Sequence, residues 1–205
     1  MIKRSIHMKK IISLLLALIL CLSFTACSGP NADMTEENIT ETVAAVETAL
    51  KNFDTDDLDK YVDSSTLSVI IGYAESHDQF ADLGRAIFAN LEMDITNIDM
   101  ENKTVTVTAM NKDLSAATSE FAQSLKDSYS TFALLRKLSD DTFLDEKLAE
   151  LQGTIANCQL MDEGIEIVLN IEQGSKNLVF SFDSLDEDAV SGGALSAIKE
   201  IYGIS

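Results

Sequence analysis

Few side chains in this sequence could carry chemistry, and they are scattered. Cysteine stands only at Cys21, Cys27 and Cys158, and histidine only at His7 and His77, among 34 acidic residues. The densest acidic group is Asp54, Asp56, Asp57 and Asp59, spaced closely enough to invite a calcium loop. Counted from Asp54, however, Leu58 falls on a ligand position, Asp59 where the loop glycine must turn the chain, and Ser65 where a bidentate Glu is required. The match fails, and capping of a helix that starts at Thr55 accounts for these acids. His77 follows Ser76 and precedes Asp78, with no second ligand nearby, so it reads as a surface residue at a helix cap. A serine–histidine–acid triad would have to recruit His77, and no nucleophile is marked for it. The chain has no glycine-rich phosphate loop, no Gly-x-Ser-x-Gly elbow and no HExxH. These residue types therefore yield no catalytic assignment, no metal ligand and no cofactor.

Cys27 is different, because of what precedes it. Lys9-Lys10 opens a basic segment, Ile11–Leu22 is an almost unbroken apolar run, and Phe24-Thr25-Ala26 puts small residues just before the cysteine. That layout is a secretory signal, with an apolar core too short for an ordinary membrane span. Its end resembles the lipobox of bacterial lipoproteins, with Phe24 standing where Leu is usual. The resemblance implies that Cys27 is acylated with palmitate-type chains and becomes the mature N-terminus. The protein would then be tethered by lipid to the extracytoplasmic face of the cell membrane while the domain itself stays in water. Cys21 is then removed and Cys27 consumed, leaving Cys158 alone, unable to form an internal disulfide or a cysteine-based metal site. Cys158 lies in a strand-like run and reads as a small buried hydrophobe.

Charge narrows the partners. The 205 residues carry 15 basic and 34 acidic side chains, a net charge of −19. Cleavage before Cys27 removes Lys3, Arg4, Lys9 and Lys10 and no acid, leaving 11 basic against 34 acidic residues, a net charge of −23. So acidic a domain is repelled by nucleic acid and by anionic headgroups, which excludes nucleic acid as a partner and leaves the lipid as the membrane contact. The charge suits a solvated, monomeric surface.

The elements read as follows. Residues 1–27 are the signal peptide and 28–37, with the only proline at Pro30, a flexible tether. Residues 38–205 form one domain, since 46% hydrophobic content suffices for a single core. Ile39, Val43, Val46, Leu50 and Phe53 make one helical stripe, with Thr35 as cap and Glu36 and Glu37 at the positive end. A shorter helix buries Leu58, Tyr61 and Val62, Leu67–Tyr73 packs beneath, and Phe80, Leu83, Ile87 and Leu91 mark a third. The chain then builds a hairpin around Met93–Leu114. Val105, Val107 and Ala109 alternate with threonines, and a phase slip near Thr96-Asn97, with Met93 and Ile95 on one face and Ile98 and Met100 on the other, predicts a β-bulge. Asn111-Lys112-Asp113 caps a long helix with Leu114, Ala117, Phe121, Leu125, Ser128, Phe132 and Leu135 in its stripe. A second helix, from Ser139-Asp140 to Gly153, makes an antiparallel pair with it that closes one end of the sheet. Ala156, Cys158 and Leu160 read as a strand, then Ile165, Ile167, Leu169 and Ile171, then Leu178, Phe180 and Phe182; a short helix with Leu195, Ile198 and Ile201 follows Gly192-Gly193.

Helices segregated from antiparallel strands make an α+β domain, with a curved antiparallel sheet packed by N-terminal helices and a helical pair inserted between strands. The layout resembles the NTF2-like (cystatin-related) domains of small lipoproteins of Firmicutes-type bacteria. The similar stretches are Ala49–Asp54 with Leu58–Val62, Asn111–Leu114 after a Thr/Val strand, and Gly192-Gly193, within about Asn38–Tyr202. One departure is Lys176-Asn177-Leu178, where such domains often carry a Lys-Trp pair; this chain has no Trp. Some relatives are enzymes that set an acid beside a tyrosine in the cone, which would make Tyr61, Tyr73, Tyr129 and Tyr202 candidates. A half-buried structural tyrosine is the simpler reading of each. The expectation is a lipid-anchored, non-enzymatic binding module for a small ligand, peptide or envelope protein. The alternative is a cone-pocket enzyme of isomerase or hydrolase type.

Overall fold

Thr35 accepts the amide of Asn38 on its side-chain oxygen, and α1 (Glu36–Asn52) starts there with Glu36 and Glu37 in its first turn. This is a computed structural model; it describes residues 30–197 apart from Ser76 and Leu138, with Tyr73, Thr131 and Leu135 as backbone only. The segment read as a signal peptide, Cys27, Ile198, Ile201 and Tyr202 lie outside the described residues. The segment expected as a tether is built into the domain from Pro30 onward. Asn38 donates to the carbonyls of Asn31 and Asp33 (2.8 Å to the latter) and accepts from the Asn31 amide at 2.9 Å, while Gln173 donates to Ala32 at 2.8 Å. Asn38 is 4% exposed, so these bonds satisfy a buried amide.

Among the described residues, four helices precede the hairpin: α1, α2 (Thr55–Tyr61), α3 (Ser65–Ala74) and α4 (Asp78–Phe88). Asp54 caps α2 by accepting the Asp57 amide at 3.1 Å, the role assigned to the acidic cluster. Directly after α2 comes β1 (Val62–Asp63), which pairs in parallel with β5 (Leu178–Ser181). The sheet is therefore mixed rather than antiparallel, in the order β1-β5-β4-β3-β2, with β2 Glu92–Asp99, β3 Thr104–Met110 and β4 Ile165–Gln173. Two residues carry no alternation, which is why β1 left no trace in the pattern. The bulge does occur, between Ile95 and Asn97. It restores the phase, so that Ile98 pairs with Val105 and rejoins the inner face instead of pointing away from it. Met100 lies in the turn, 38% exposed.

Three helices, not two, link β3 to β4: α5 (Ser115–Ser128), α6 (Thr131–Lys137) and α7 (Asp141–Ala156). The long stripe breaks at Tyr129-Ser130, where the Ser130 hydroxyl accepts the Ala133 amide and restarts the helix; Phe132 ends up 79% exposed. Asp140 caps α7 through the Phe143 amide. The strand expected at Ala156–Leu160 is absent. α7 runs through Gly153, which has open space around it, to Ala156, and Leu160 is 57% exposed in one isolated bridge with Lys112. Five alternating residues were too short a signal. Ile165, expected inside, is 42% exposed at the strand end. After β5, Asp183 and Asp186 form a capping box on α8 (Ser184–Val190), and a further helical turn spans 194–197. Gly192 between them has φ +66 and lies so close to the Lys112 carbonyl that a Cβ there would collide with it. The chain is thus α+β, with one sheet face buried under helices.

Candidate functional site

The space between sheet and helices, where a cone pocket would lie, is filled. Val105, Val107, Leu169, Leu178 and Phe180 from the sheet and Ile39, Val46 and Leu50 from α1 are all fully buried in one cluster. A hollow with apolar walls lies elsewhere, within the helical layer. A partly enclosed cavity of about 160 Å³ sits among α3, α4, α5, α7 and α8, and no strand residue lines it. α4 provides the largest wall, through Phe80, Leu83, Ile87 and Phe88. Leu67 and Ile70 of α3, Leu151 of α7, and Ala194 and Leu195 complete the apolar lining.

Two features of the sequence shape this wall. Phe53, just past α1, has φ 48, a left-handed conformation that an ordinary side chain resists. Its ring lies in the place of a side chain at position 84, so Gly84 in mid-α4 is what admits it, and it stacks on Phe88 at 6.5 Å. Leu114, Leu151, Ile155 and Ala194 form a second small core beside the cavity, against which Leu83, Ile87, Phe121 and Cys158 pack. α5 and α7 do pack together as the expected pair, and α7 also lies along α4.

The polar side chains on the cavity wall are already engaged. The Thr118 hydroxyl donates to the Leu114 carbonyl at 2.7 Å, and the Ser191 hydroxyl to the Asp188 carbonyl at 3.1 Å. Glu187, 3% exposed, accepts the hydroxyl of Ser64 and the amide of Thr66 (3.3 Å) at the N-terminus of α3, while Ser64 itself accepts the Leu67 amide at 3.0 Å. Among the described residues, no buried side-chain nitrogen or oxygen lacks a hydrogen-bond partner. Next to Glu187, burial pushes the Asp186 carboxyl above the usual carboxylate range, against the pull of the Asp183 amide.

The residues singled out from the sequence do not converge. Tyr61 is buried in the main core with Lys60 above its ring at 5.1 Å. Tyr129 packs edge-on against Phe143 at 5.4 Å, with Lys137 over both rings. His77 occupies the cap position of α4, half-buried and edge-on to Phe80. Cys158 is a free thiol, half-buried rather than buried and in no strand, 3.5 Å from the Thr154 carbonyl. The Tyr73 side chain and Tyr202 lie outside the described residues. Among the described residues, no group of three or more His, Cys, Asp or Glu could hold a metal ion, and no helix is long and apolar enough to cross a membrane. Comparison with family models, curated proteins and solved structures found no match.

The cavity residues escaped the sequence because five separate helices bring them together. Phe53, the Leu67–Tyr73 stretch, the Phe80, Leu83, Ile87 stripe and Leu195 stand out as apolar positions of separate helices, and nothing local says that they share a cavity.

Proposed function

We propose that this protein is a lipid-anchored, extracytoplasmic, non-enzymatic binding module, and that its ligand is a small molecule held in the helix-lined cavity. The cavity is the observation that carries the reading. A hollow of this size in a close-packed interior forfeits dispersion contacts that its own side chains could have made, and occupancy restores them. Anchoring at Cys27 is supported by the Lys9–Cys27 layout. The NTF2-like assignment is supported by helices over one sheet face, while the opposite face, with Val168 51% exposed, is left to solvent.

Two measurements test the two halves. Cells producing the full chain are fed labelled palmitate and fractionated, for wild type and Cys27→Ser. Label in the wild type and loss of membrane retention in the variant are expected; an unlabelled wild type with the variant still in the membrane overturns anchoring. The full chain is then extracted and its bound small molecules compared with those of Ala194→Leu, which fills the cavity from one wall. A ligand present in the wild type and lost in the variant is expected, and equal loads would overturn the site.

A further inference from the structure

We infer that the ligand is uncharged and apolar, about the size of a substituted benzene ring, and that the site excludes ions. This rests on the cavity being the ligand site and names what it takes. The volume, about 160 Å³, is close to that of an engineered cavity in another protein, about 150 Å³ and lined by Leu, Ile and Phe, which stays dry and binds benzene. Here too Phe, Leu and Ile side chains make the walls. The polar side chains on the walls are Thr118, Glu187 and Ser191; both hydroxyls donate to backbone carbonyls, and Oε1 of Glu187 accepts from Ser64 and Thr66.

A polar ligand group would enter a space whose surface is almost wholly apolar and would lose most of its hydration without return. An anion would additionally face the Glu187 carboxylate. A cation would give up its hydration shell for walls of Phe, Leu and Ile and a single carboxylate, Glu187, whose Oε1 is already shared by Ser64 and Thr66. An apolar molecule meets no such obstacle, because burial of its surface and contact with the walls are all that binding needs.

The test uses the full chain in phosphatidylcholine nanodiscs, with empty nanodiscs correcting for partitioning and melting followed by far-ultraviolet circular dichroism. The probes are benzene, toluene, ethylbenzene and n-propylbenzene, with benzoate and benzylamine as charged counterparts. Affinity should rise about fourfold with each added methylene, as about 0.8 kcal/mol per buried CH₂ implies, until the cavity is full. Benzoate and benzylamine should bind at least tenfold more weakly than toluene. Ala194→Leu should lose binding of all four hydrocarbons, and Leu151→Ala, which widens the cavity, should move the optimum to a longer chain. If Ala194→Leu does not fold, the shift in Leu151→Ala carries the same information. Benzoate or benzylamine binding as tightly as toluene, and responding to these variants, would overturn the ligand class and leave the binding site standing. Absence of binding by every probe would overturn both.

Discussion

Asn111 offers the sharpest test of how the helical layer is fixed to the sheet. It sits at the end of β3, fully buried. Its side-chain amide donates to the Ile87 carbonyl at 3.1 Å and the Val190 carbonyl at 2.8 Å, and its oxygen accepts the Lys112 amide at 2.8 Å. One side chain thus ties the end of α4, the end of α8 and the exit of β3, the three elements behind the cavity. Asn111→Ala removes three bonds, taking this partner from the buried Val190 carbonyl and from the partly buried Ile87 carbonyl and Lys112 amide. At about 1 kcal/mol per bond, the loss comes to about 3 kcal/mol, a large share of the 5–15 kcal/mol that holds a domain of this kind. Asn111→Asp should be worse, since it turns a carboxylate toward two carbonyls. Burial must raise the folded-state pKa of that carboxyl, so its deficit should narrow as pH falls and one donor returns. The chain has no tryptophan, so urea unfolding is followed by circular dichroism. An Asn111→Ala protein within about 0.5 kcal/mol of wild type would refute the junction.

Three further outcomes are expected. Val107→Asp places a charge at a fully buried position between β2 and β4, so it should cost several kcal/mol, and melting within a few degrees of wild type would put Val107 on the wrong face. The Asp186 carboxyl titrates above its unfolded value of 3.8, so its contribution is present below that pH and lost as pH rises through the folded value. Asp186→Asn should therefore be more stable than wild type at neutral pH, with the gap closing toward pH 3.8, and a gap independent of pH would contradict the assignment. Hydrogen exchange should be slow at Thr118–Ala122, which faces the core, and fast across Thr131–Lys137; the reverse order would show that the excursion is packed differently.

What could be read from the sequence was what local chemistry decides. Thr35 and Asp54 cap the helices they were expected to cap, and the phase slip near Thr96-Asn97 marks a real bulge. Asp99 fixes the hairpin turn by accepting the amides of Asn102 and Glu101, and those bonds hold its carboxyl below the usual range. What could not be read depends on partners far away in the chain. The neighbours of Asn111 suggest a helix cap, yet the carbonyls that its amide nitrogen meets are 24 and 79 residues away. Glu187 was one acid among 34, yet it is buried against a serine 123 residues upstream. The single-helix reading of Leu114–Leu135 failed at Tyr129-Ser130, because an apolar stripe continues in register across a break that one serine suffices to make. The cavity is the extreme case, since its walls come from stretches as far apart in the chain as Phe53, Thr118 and Leu195.

The central claim, that the helical layer holds a dry apolar site, is tested most directly by crystals of the protein pressurised with xenon, which enters dry apolar cavities and not hydrated ones. One xenon site among Leu83, Ile87, Leu151 and Ala194 is predicted, absent in Ala194→Leu. Ordered water hydrogen-bonded in that space, with no xenon, would contradict it.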